Sequence, residues 1–163
     1  MTTSRHHGQW QVSGNEGHIE LETSRIGLFT VKAHAPILGG DADWQANAAD
    51  LLLKIAIDQA KTGNPLLDPQ LRSFIKRTSD GILTFEGSGH VNDDEVKFEG
   101  EAWAGTVKVP MTIAGTSRGE LEHERDVQIL GNATFTDVKI PLPGFSKVNE
   151  IDITVTGFLK LVR

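Results

Sequence analysis

A two-residue alternation of apolar and polar side chains runs through most of this chain, and it leaves few folds open. Ile151, Ile153, Val155, Gly157, Leu159 and Leu161 fall on one parity. Asp152, Thr154, Thr156 and Lys160 fall on the other, with Phe158 and Val162 as exceptions. Leu51, Leu53, Ile55 and Ile57 repeat the pattern against Lys54 and Asp58. Val107, Val109, Met111 and Ile113 do so against Thr106, Lys108 and Thr112. Val96, Phe98, Gly100, Ala102 and Ala104 alternate with Lys97, Glu99, Glu101 and Trp103. Weaker stretches lie at Ile19 and Leu21, at Phe29, Val31 and Ala33, at Leu83 and Phe85, and from Val127 through Ile129 to Phe135. A period of two marks a strand with one dry face, and the many Val, Ile and Thr residues suit a pleated surface.

The pattern predicts an all-β chain of about eight strands, with turns at Gly39 and Gly40, at Asn92 to Asp94, and from Gly115 to Gly119. One-sided strands point to an antiparallel sheet, closed or nearly closed. Pro110 falls on an outward position and has no N–H for a ladder, so it marks an edge, an opening or a bulge. One short helix is expected, from Asp68 to Arg77. Asp68 caps it, Pro69 takes the first helical position, and Leu71, Phe74 and Ile75 form an apolar stripe.

Composition bounds the function more than it names one. The 163 residues, without repeat or linker, read as a single domain over 1–163, with residues 1–8 expected to be flexible. There is no Cys, which excludes disulfides, thiolate metal sites and thiol nucleophiles. Sixteen basic against 22 acidic residues, net −6, argue against nucleic acid as a partner. No apolar run approaches the ~20 residues that span a bilayer. The opening Met-Thr-Thr-Ser-Arg-His-His-Gly has no apolar signal core, so a cytoplasmic location is expected.

Gly87, Gly100, Ala102, Ala104, Gly131, Ala133 and Gly157 share the inward parity with bulky residues. Two readings stand side by side. Small residues remove wall volume and open a cavity for one ligand, or they fit a tapering, filled barrel. A cavity lined this way would take a long apolar chain. Burying one CH₂ gives ~0.8 kcal/mol, so an isoprene unit contributes roughly 3 to 4 kcal/mol.

Other signals carry less. Arg72, Lys76 and Arg77 would meet an anionic headgroup, or simply complement a helix C-terminus. Gly115-Thr116-Ser117-Arg118-Gly119 matches a nucleophile elbow in letters, but no helix follows it, and a polar turn is the better reading. His123-Glu124 does not complete a zinc motif, because Val127 stands where the second His belongs. His18, His34 and His90 have no ligand-like spacing in sequence, so a metal site could come only from the fold; no metal, cofactor or catalytic residue is expected. Trp44, Trp103 and Phe158 fall on the outward parity as possible contacts for a partner protein.

Ile57-Asp58-Gln59-Ala60-Lys61-Thr62-Gly63-Asn64, followed by Asp68-Pro69-Gln70-Leu71-Arg72-Ser73-Phe74, resembles the YceI-like family of polyisoprenoid-binding, lipocalin-like proteins. Gly81 to Ser88, the stretch from Glu99 to Met111, and the opening Trp10 and His18 also fit that family in order. Leu67, Gln70 and Ile19 depart from it, at places where the family often carries Arg, His and Ser. The resemblance implies a lipocalin-like antiparallel barrel that carries or stores a long isoprenoid, or a similar amphiphilic lipid, without catalysis. A homodimer is also implied. The residues expected to line its cavity are Leu53, Ile55, Ile57, Leu71, Phe74, Ile75, Phe85, Phe98, Val109, Met111, Ile113, Phe135, Ile153 and Val155. The alternatives are an enzyme using His or carboxylate groups at the barrel mouth, and a filled barrel that binds proteins.

Overall fold

A computed structural model of the chain describes residues 8–23, 31–69, 72, 73, 76, 80–105, 107–120, 123–136 and 150–163. Among the described residues nine strands form one antiparallel sheet: β1 (Gly8–Thr23), β2 (Lys32–Ala35), β3 (Ile37–Trp44), β4 (Ala48–Ala56), β5 (Ile82–Asn92), β6 (Glu95–Ala104), β7 (Val107–Glu120), β8 (Glu124–Thr136) and β9 (Glu150–Val162). Neighbours from β3 to β9 follow chain order, and β1 pairs with β9 to close the ring.

Eight of these positions are true staves. β2 and β3 are one strand interrupted by Pro36, and both lie along the same edge of β1. Proline has no N–H to give to a ladder, so the strand breaks there. The wall continues across the break, because the Ala56 N–H donates to the Pro36 carbonyl at 2.9 Å and His34 and Lys61 exchange two backbone hydrogen bonds of 2.9 Å.

Alternation does its expected work on the barrel wall. β4 reads exposed and buried in turn, and its buried residues Leu51, Leu53 and Ile55 enter a single core with Phe85, Phe98, Met111, Ile113, Val155 and Leu159. The two ends of the barrel differ. At one end β3 and β5 turn into β4 and β6 over 45–47 and 93–94, and β7 ends at Glu120 with β8 starting at Glu124. At the other end leave the three longest connections, over 24–31, 57–81 and 137–149. The first end is sealed and the second is the mouth.

Several expectations need correction. Gly39 and Gly40 lie inside β3, not in a turn; both have positive φ, of 141° and 149°, and mark an irregular register against β4. Gly115 to Gly119 also lies within a strand, β7, which runs on to Glu120. Ile57 opens a 3-10 turn (Ile57–Gln59) and is not part of β4. Trp44 points inward and is 3% exposed. The outward assignment failed because the irregularity in β3 resets parity upstream of it. The turn at Asp93 and Asp94 is as expected, with Asp93 at φ 56°. Pro110 faces out opposite Glu101, and the β7–β8 ladder begins only at Met111, so the two strands are unpaired where the proline sits.

The small inward residues do not hollow out the middle of the barrel. A Cβ on Gly100 would overlap the Glu86 carbonyl, and one on Gly87 would meet the Phe85 ring. The space before Gly131 is held by Ile113 and Met111, each 3.0 Å from where a Cβ would stand. Phe98 is 1% exposed, and Ile113 and Ala102 are 0%. These glycines let strands approach and bend, and neighbouring side chains fill the volume they leave.

Gly40 and Gly157 bear this most strongly. Each has φ near 150°, and a Cβ would overlap the carbonyl of Leu52 or His18 respectively. Gly40→Ala and Gly157→Ala should each cost at least about 2 kcal/mol and lower Tm by roughly 4–8 °C. Thermal unfolding followed by circular dichroism checks this; an unchanged Tm in both would contradict the close approach.

Candidate functional site

The sealed end is built around a buried cation. Arg125 opens the inward parity of β8 ahead of Val127, Ile129 and Ala133, and it is 3% exposed. Its guanidinium lies 4.5 Å from the Trp44 ring and 5.4 Å from the Trp10 ring. Arg163 covers Trp10 from outside at 4.3 Å, and Trp44 meets Phe98 edge-on at 6.3 Å. A weakly hydrated planar cation between indole faces is well suited to such a stack. Nothing in the sequence singled Arg125 out, although its parity with Val127 was readable.

The mouth end is different in kind. Ala33, Ala35, Ala102 and Ala133 are small and buried there, while Leu21, Ile57, Ala104 and Ile153 are partly exposed and pack against the core; at the opposite end Val91 alone of the described apolar core residues is partly exposed. Solvent therefore touches aliphatic residues at this end, above a buried floor of Phe85 and Met111.

Most of the predicted cavity residues converge on this interior. Leu53, Ile55, Phe85, Phe98, Val109, Met111, Ile113 and Val155 are buried inside the barrel, and Ile57 and Ile153 are half-buried at its mouth. Leu53, Phe98 and Ile113 sit deep in the packed part; Ile57, Val109 and Ile153 lie near the mouth. Phe135 takes a strand position opposite Ile151. Leu71, Phe74, Ile75 and Arg77 lie outside the described residues.

The approach to the mouth is a hydrogen-bonded loop. Asp68 Oδ1 accepts from the Thr62 amide at 2.9 Å and from the Thr62 hydroxyl. The Asn64 amide donates to Thr62 Oγ1 at 3.0 Å, and Asn64 Oδ1 accepts from the Leu66 amide at 2.9 Å. Asp68, Pro69, Arg72, Ser73 and Lys76 have helical backbone. The Thr62-Gly63-Asn64 motif thus anchors the start of that helix, and Asp68 reaches back to the loop as well as standing at the helix entry. Arg72 and Lys76 line an open basin of about 810 Å³ together with His18, His34, Asp58 and Lys61.

The Asp68 carboxyl is held below its ordinary value, first by the Thr62 hydroxyl, then by the Thr62 amide, with smaller help from Arg72 and Lys61. A depressed folded pKa stabilises the loop above the unfolded value of ~3.9, and that support is lost as pH falls through the folded value. Titration below about pH 4 should therefore shift the Thr62 and Leu66 amide resonances in the wild type. Asp68→Asn should abolish that acid transition; its persistence would show that another group governs the loop.

The geometry defines a closed antiparallel barrel, sealed at one end and apolar at the other. The same fold occurs in a solved polyisoprenoid-binding domain from Saccharophagus degradans, described as implicated in plant cell wall breakdown. The match has a TM-score of 0.66 and covers 94% of this chain and 97% of that one, at 11% sequence identity. The YceI-like resemblance read from the sequence is thus met at the level of the fold. No family model matches the chain, and no curated protein matches it in sequence.

Proposed function

We propose that this protein binds a long apolar chain of isoprenoid type, or a similar amphiphilic lipid, through the mouth of the barrel, and carries or stores it unchanged. The observation that carries this reading is the partly exposed inward ring of Leu21, Ile57, Ala104 and Ile153 in a barrel sealed at its far end. The shared fold with a polyisoprenoid-binding domain supports it. Among the described residues no helix is long and apolar enough to cross a membrane.

Depth is set by the packing below. A chain that passes the mouth ring meets Met111 and Phe85, and entering further requires those side chains to turn. Met has an unbranched, adaptable side chain suited to such yielding. Each isoprene unit buried contributes roughly 3 to 4 kcal/mol, so two or three units offset the several kcal/mol lost on immobilisation. The reading extends to a cytoplasmic setting and to a homodimer, for which the exposed Leu130 and Phe158 on the outer faces of β8 and β9 offer apolar contact.

Native mass spectrometry after detergent-free purification, with organic extraction of the same sample, tests both the ligand and the dimer. The expected result is a bound or bindable prenyl chain. Ile153→Trp and Leu21→Trp should lower uptake of a fluorescent prenyl probe at least tenfold while the protein stays folded. Undiminished uptake in both variants would place binding elsewhere or remove it. Gly100→Leu is unsuitable for this purpose, since its side chain would collide with the Glu86 backbone and disturb the fold itself.

A further inference from the structure

Outside the barrel, the fold brings together three side chains that the sequence keeps apart. His18 and Glu20 are two residues apart on β1 and so share its outer face. His34 lies on β2, directly opposite Glu20 in the antiparallel register. The His18 and His34 rings are 5.0 Å apart between centroids and tilted by 40°. Glu20 Oε2 is 3.9 Å from His34 Nδ1, too far for a hydrogen bond. One donor atom from each of the three lies within 4.8 Å of the other two, and this is the one such group among the described residues.

We propose that His18, Glu20 and His34 form a binding site for a divalent transition metal, of which Zn²⁺ is the best chemical match. Two imidazoles and one carboxylate are a donor set that suits Zn²⁺ and offers little to Mg²⁺, which prefers oxygen ligands and keeps its waters. In a tetrahedral site with bonds of ~2.0–2.1 Å, donor atoms stand about 3.3 Å apart, so the trio must close by at most about 1.5 Å on any edge. The side chains are exposed or half-buried and free to make that adjustment, whereas the backbones are fixed. Glu20 and His34 are locked by the β1–β2 ladder, and His34 is further held by its two hydrogen bonds to Lys61.

Three protein ligands leave the fourth position to water or an exchangeable anion. His18 and His34 line the same open basin as Lys61, Arg72 and Lys76, with Asp58 the one acidic side chain there. Those cations repel a bare dication and favour an anion as its fourth ligand. The site therefore binds in the micromolar range, not the nanomolar range of a buried structural zinc. It is separate from the apolar interior and does not depend on what the barrel carries.

The test is calorimetric titration with Zn²⁺ in a His6→Ala/His7→Ala background, which removes the adjacent histidines at the start of the chain. One equivalent should bind with micromolar affinity, and millimolar Mg²⁺ should not compete. His18→Ala and His34→Ala should each weaken binding at least about tenfold, and Glu20→Gln by several-fold, with unchanged thermal unfolding of the apo proteins. Imidazole resonances give an independent reading on the unmutated sites: Zn²⁺ should shift His18 and His34 before His90 and His123. No saturable binding, or binding undiminished in the His18→Ala/His34→Ala double variant, would overturn the proposal. So would earlier shifts at His90 or His123.

Discussion

Closure of the sheet rests on β1, which serves three strands at once. Its first half pairs with β3, its second half with β2, and its opposite edge with β9 over most of its length. A shift in register between Val12 and Gly17 lets one long strand satisfy all three. Without that bend the ring would remain an open sheet with two bare edges, a form that invites pairing with other chains. Gly157 permits the closest approach along this seam, against the His18 backbone. The same seam sets the outer-face positions of His18 and Glu20, so the barrel closure and the proposed metal site share one structural cause.

The barrel is also polar along its axis in the architectural sense. Short turns and the Trp10–Arg125–Trp44 stack seal one end. Long connections and partly exposed aliphatic residues mark the other. A cation held between indole rings gives a rigid plug at modest cost in desolvation, because guanidinium is weakly hydrated. On the proposed reading an apolar chain enters at the mouth, and its depth is set by how far Met111 and Phe85 give way.

Strand parity was largely legible from the sequence. Leu53, Ile55, Phe85, Phe98, Met111, Ile113 and Val155 all face inward as the alternation requires. Pro110 also announced the place where β7 and β8 part. What parity could not convey was irregularity. The positive-φ glycines of β3 looked like a turn, and they displaced Trp44 from its true inward place. Glycine itself was ambiguous: at Gly100 and Gly131 the missing side chain accommodates a neighbouring strand or a neighbouring side chain, not a ligand. Contacts across strands were hidden altogether, because Glu20 and His34 become neighbours only once the β1–β2 register is known. Arg125 was hidden for a related reason, since its partners come from β1 and β3.

The central claim, that the mouth accepts an apolar chain above a packed floor, is tested most directly by methyl NMR of the apo protein titrated with a short prenyl alcohol. Saturable shifts should appear at Leu21, Ile57 and Ile153, weaken at Met111, and be absent at Val96 near the sealed end. Shifts confined to outer-face methyls such as Leu38 and Leu130, or no saturable shift at all, would contradict the account.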